Sequence, residues 1–81
     1  MASMKKAIDQ DTLQALIETG AAREFLVTRG PGGEGWTLST RLATAWLPIR
    51  SRREPIRIWA SLTAVERFAA KAGVRGFSVE L

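Results

Sequence analysis

Apolar residues recur along this chain with two different periods. Across residues 8–20, Leu13, Leu16 and Ile17 fall at i, i+3 and i+4, one stripe of a helix. Asp9 and Asp11 are both placed to cap its first turn. Asp11 has Gln14 at capping-box spacing, whereas Asp9 would put Ile8 and Leu13 at staple positions. Gly20 stops the helix, because glycine takes the left-handed conformation there without a Cβ penalty. Residues 61–73 carry the clearer helical pattern. Leu62, Val65, Phe68, Ala69 and Ala72 form its apolar stripe, while Arg67 and Lys71 lie on the wet side. Ser61 or Thr63 opens it, the latter with Glu66 at capping-box spacing, and Gly73 ends it.

The other period is two. Residues 23–29 set Phe25 and Val27 against Glu24 and Thr28, a half-buried strand. Gly30, Pro31, Gly32, Gly33 and Gly35 interrupt it as a turn. No Gly-Lys-Ser/Thr follows, so this is not a phosphate-cradling loop. Trp36, Leu38 and Leu42 alternate with Thr37, Ser39 and Arg41 in a second strand. Residues 45–50 read as a third, with Pro48 arguing for an edge or bulge, and residues 55–59 as a fourth. Residues 74–81 close the chain as a strand in which Phe77 and Val79 alternate with Ser78 and Glu80. The expected order is α-β-β-β-β-α-β, an α+β single domain over residues 8–81 behind a disordered tail, 1–7. Its sheet is expected to be antiparallel, with two helices packed on one face. Each helix ends in a glycine followed by a strand with Phe-x-Val, at spacings that differ by one residue, a shared local solution rather than firm evidence of a repeat.

Composition narrows the chemistry. The 81 residues leave room for one domain and contain neither cysteine nor histidine. Disulfides and thiolates are therefore absent, as is the usual neutral-pH base and metal ligand. The eight acids are scattered over caps, turns and polar strand faces, with no calcium-loop spacing. Catalysis, metals and cofactors are not expected. No apolar run approaches the ~20 residues that cross a bilayer, and Lys5 and Lys6 precede no signal-like core. A cytoplasmic protein is the expectation. Twelve basic residues, most of them arginine, give a formal charge of +4, which suits nucleic acid or an acidic protein.

Arg50, Arg52, Arg53 and Arg57 concentrate that charge in the turn between the third and fourth strands, with Arg41 across the sheet. Strict alternation would place Trp46, Arg50, Arg57 and Trp59 on one face. Leu47, Ile49, Ile56 and Ile58 would lie on the other, under the second helix. Arginine beside tryptophan suits either a protein contact with an aromatic anchor or a phosphate-and-base surface. The structural alternative is that both tryptophans pack under helices and the arginines only solvate the rim. A helix-turn-helix is excluded, since roughly forty residues separate the helices where that motif has a short turn. Aromatic RNA-recognition motifs are also missing. Pairing of the sheet with a second copy, as a homodimer, is a further expectation.

Residues 53–68, with Gly73 and residues 77–81, resemble the small ParC-like plasmid partition-associated proteins, a family distinct from the topoisomerase subunit of the same name. Residues 11–17 and 20–25 fit the same general look. The resemblance implies a non-enzymatic accessory role in partition or maintenance of a plasmid or integrative element, beside an ATPase and a centromere-binding protein. It carries over no active site.

Overall fold

The computed structural model describes residues 7–81. Its elements are α1 (Gln10–Glu18), β1 (Phe25–Arg29), β2 (Trp36–Leu42), β3 (Ala45–Pro48), α2 (Leu62–Ala72) and β4 (Ser78–Glu80), with a 3-10 turn at Pro31–Gly33. The architecture is α+β, a four-stranded sheet with two helices. Apart from Ala7, the expected tail lies outside the described residues.

Capping settles both helix starts. Asp9 is extended and its carboxylate accepts from the Thr12 amide at 2.8 Å, so Asp9 rather than Asp11 is the cap. Ser61 does the same for α2, its hydroxyl accepting from the Ala64 amide at 3.1 Å. Leu13 from α1 and Val65 and Ala69 from α2 close on Phe25, Val27, Leu38 and Ile49 of the sheet.

Strand order in the sheet is β3-β2-β1-β4. β1 pairs antiparallel with β2, Val27 opposite Leu38, and β2 antiparallel with β3, Thr40 opposite Leu47. β4 lies parallel to β1, with Val79 beside Val27. The sheet is therefore mixed, not antiparallel throughout. The reason is the path of α2. It takes the chain from the β3 side to the far edge, and a helical crossover delivers its strand parallel.

The expected fourth strand at 55–59 also does not form. β3 runs on to Ile49, whose amide donates to the Leu38 carbonyl at 3.0 Å. The chain then leaves the sheet and returns at Trp59, which exchanges backbone bonds of 2.8 and 2.9 Å with Trp36. Ile49 and Trp59 thus dock on the same edge of β2, and residues 50–58 are an excursion between them. A hairpin arm would have needed the outer side of Ile49, and Ile8 already sits there. The Ile8 amide donates to the Pro48 carbonyl at 3.0 Å, and the Arg50 amide to the Ile8 carbonyl at 2.9 Å. Pro55 has no amide with which to compete.

The two helix-glycine-strand units lie side by side. After α2, the Val74 amide donates to the Ala69 carbonyl at 2.9 Å; after α1, the Ala22 amide donates to the Leu16 carbonyl at 3.0 Å. Val74 is one residue past Gly73, and Ala22 two past Gly20. The one-residue difference in spacing is absorbed at that point. From there Ala22-Arg23-Glu24-Phe25-Leu26-Val27 and Val74-Arg75-Gly76-Phe77-Ser78-Val79 run in step, and the parallel register pairs Leu26 with Ser78 and Val27 with Val79.

Candidate functional site

The excursion at 50–58 is built by its own polar groups. The Ser51 amide donates to the Glu54 carbonyl at 3.1 Å, and the Glu54 amide to the Ser51 hydroxyl at 3.0 Å. Arg52 and Arg53 project from the tip of that turn and are exposed. The Arg57 amide donates to the Ile49 carbonyl at 2.8 Å and closes the base. Ends this close over a short segment make a compact surface loop of the Ω kind. The glycine-rich turn supports it from behind. Gly35 has φ of 66°, and a Cβ there would run into the Ile58 side chain and the Trp59 carbonyl.

Arg57 is the hinge of the site. Its guanidinium lies 4.7 Å from the Trp59 ring centroid and 5.1 Å from that of Phe68. Those two rings are 5.0 Å apart and tilted at 52°. A cation that lies over two adjoining rings gains from each, and the contact fixes a side chain that would otherwise sample many rotamers. Farther along the sheet, Arg29 sits 4.1 Å over Trp36, the cross-strand partner of Trp59.

Two hollows meet at Arg57. The first, about 350 Å³, is lined by Asp9, Asp11, Arg50, Arg52 and Arg57. Its charges are nearly balanced, and Arg50 reaches Asp9 at 3.6 Å. Hydrogen bonding from Thr12, hydroxyl and amide together, holds the Asp9 carboxyl below its ordinary value, and the Arg50 guanidinium adds to the effect. The second hollow, about 610 Å³, has Trp59, Phe68 and Ala64 in its wall and Arg57, Arg67 and Lys71 around it, with no carboxylate in its lining. Arg67 and Lys71 are one turn apart on α2, which sets both cations along one rim. The second hollow therefore offers an apolar surface framed by three positive charges.

The residues expected from sequence divide into groups. Arg50, Arg52 and Arg57 share the first hollow, and Arg53 stays at the loop tip. Trp59 is 5% exposed and forms part of the core, while Arg57 stacks on it. Trp46 does not join them. It pairs with Arg41 across β2 and β3, on the sheet face opposite Leu38 and Trp36. There Arg41 reaches Glu24 at 3.7 Å. The expectation that Trp46, Arg50, Arg57 and Trp59 share a face is thus corrected. It assumed that 55–59 returns as a hairpin arm on β3, whereas Trp59 docks on β2. Arg67, Lys71, Phe68 and Arg29 are contributors that alternation alone does not reveal. The available signal was the spacing of Ala64, Arg67, Phe68 and Lys71, which puts them on neighbouring turns of one helix.

Among the described residues no group of three or more metal-ligating side chains comes together, and no helix is long and apolar enough to cross a membrane. Comparison of the chain with protein-family models, with curated proteins and with solved structures finds no match.

Proposed function

We propose that this chain is a non-enzymatic interaction module that serves partition or maintenance of a bacterial mobile element in the cytoplasm. In this reading it holds an acidic protein partner in the hollow beside Arg57. The observation that carries the contact is a surface in which Trp59, Phe68 and Ala64 are framed by Arg57, Arg67 and Lys71 without a carboxylate. An apolar side chain of the partner takes the floor, and flanking carboxylates meet the three cations. The setting rests on the resemblance to ParC-like partition-associated proteins. Partition proteins are accordingly the partners to try first.

Contact with duplex DNA is the competing reading. Trp59 is too buried to stack on a base, and Asp9 and Asp11 offset part of the arginine charge in the first hollow. Both points favour a protein. The test is fluorescence anisotropy of the labelled chain against the partition ATPase, the centromere-binding protein and a duplex of mixed sequence, each at two salt concentrations. One of the two proteins should bind, and Arg57→Ala should weaken that complex about tenfold or more, as loss of a central arginine anchor does. Binding to the duplex alone, falling steeply with salt, would overturn the protein reading in favour of DNA.

A further inference from the structure

The two edges of the sheet are finished differently. The β3 edge ends in Pro48 and is bridged by Ile8 through backbone bonds on both sides. Among the described residues no strand lies beyond the β4 edge. β4 is exposed along its length, and the apolar side chains there are unusually open: Val79 is 43% exposed and Leu81 94%. Val79 lies on the helix-covered side of the sheet, beside the wholly buried Val27, yet neither α1 nor α2 shields it as they shield Val27.

We infer that β4 pairs antiparallel with β4 of a second copy of this chain, joining two four-stranded sheets into one of eight strands. The strand is self-complementary in the register centred on Val79. Val79 then faces its own copy, Phe77 faces Leu81, and Ser78 faces Glu80. Apolar residues meet on the helix side, polar ones meet on the other, and no like charges are placed directly opposite each other. A second feature favours the same register. A hollow of about 280 Å³, lined by Ala69, Ala70, Val74 and Phe77 together with Glu66 and Arg75, opens next to the position opposite which the second copy's Leu81 would lie. Leu81 is the knob and this hollow the socket, and a two-fold axis makes the contact twice. The residues involved lie at the opposite sheet edge from Arg57, so the inference stands independently of the partner proposed above. An interface this small gives a concentration-dependent dimer, not a permanent one.

Sedimentation equilibrium on the full chain, from about 1 µM to about 1 mM, spans the range of such weak contacts. The apparent mass should rise towards twice the monomer value. Val79→Lys puts a charge on an already exposed position and should remain monomeric, with an unchanged far-UV spectrum. The absence of native cysteine provides a second measurement. Paired Cα atoms in an antiparallel ladder are within disulfide range, so Val79→Cys should give a covalent dimer under mild oxidation. Thr44→Cys, exposed at the turn between β2 and β3, should give little. A wild-type chain that stays monomeric throughout, or equal cross-linking of the two cysteine variants, would overturn the inference.

Discussion

The two helix-glycine-strand units share a design and end in different surroundings. Phe25-Leu26-Val27 and Phe77-Ser78-Val79 sit side by side in parallel register, each preceded by a helix that ends in a left-handed glycine. Val27 is wholly buried and Val79 is 43% exposed. Among the described residues, β1 has a neighbour on each side, whereas β4 has one. The helices make the same point. Leu13 of α1 and Val65 of α2 both reach the core, but neither helix shields Val79. A shared Phe-x-Val pattern therefore does not set burial. Position in the sheet does, and that is decided by the path of α2.

The largest test of that contrast is a pair of matched truncations. Val27→Ala opens a cavity in the centre of the core and should cost about 2–3 kcal/mol. Val79→Ala removes the same methyl groups from an exposed edge and should cost less than about 0.5 kcal/mol. Urea denaturation at low protein concentration measures both. Equal costs would mean that β4 is covered in dilute solution. A cost at Val79 that grows with protein concentration would instead report the pairing of β4 with a second copy.

The glycines give a smaller difference. Gly20 has φ of 79° and Gly73 of 98°, so alanine is strained at both, by about 1–2 kcal/mol. The surroundings then separate them. A Cβ at Gly20 meets nothing within 4 Å, but one at Gly73 would lie 3.3 Å from the Ile17 side chain. Gly73→Ala should therefore lower the thermal midpoint further than Gly20→Ala. The reverse order would mean that the α1 exit, not the junction between the helices, is the tighter of the two.

How much of this was legible in the sequence follows from which interactions are local. Both helices, their glycine stops, four of the five expected strands and the edge character of Pro48 rest on periodicity and turn chemistry, and all can be read directly. The Phe-x-Val match was legible too, but its meaning was not, because nothing local says that Val27 and Val79 will be neighbours. Residues 55–59 failed for the same reason. Ile56 and Ile58 alternate with Arg57 and Trp59 as a strand would, but Ile8, more than forty residues earlier, already holds the edge that such a strand needs. In the site, the charge of Arg50, Arg52, Arg53 and Arg57 was visible at once. The partnership of Arg57 with Phe68, Arg67 and Lys71 depends on where Trp59 docks, and that is a tertiary fact.

The smallest predicted difference lies in the caps, and it carries a pH signature. α2 is capped by the Ser61 hydroxyl, which does not titrate, so Ser61→Ala should cost about 1 kcal/mol at any pH. α1 is capped by the Asp9 carboxylate, whose pKa is lowered in the folded chain by Thr12 and Arg50. A carboxyl with a lowered folded pKa contributes stability above its unfolded value, about 3.9, and loses that contribution as pH falls through the folded value. Asp9→Asn keeps a capping oxygen but removes the titration. The wild-type chain should therefore be the more stable of the two near pH 6, and its advantage should shrink as the pH is lowered below about 4. Urea midpoints of both chains at pH 6 and pH 3 decide the matter. A constant gap would mean that Asp9 acts through hydrogen-bond geometry alone and that its charge, including the contact with Arg50, adds nothing to the start of α1.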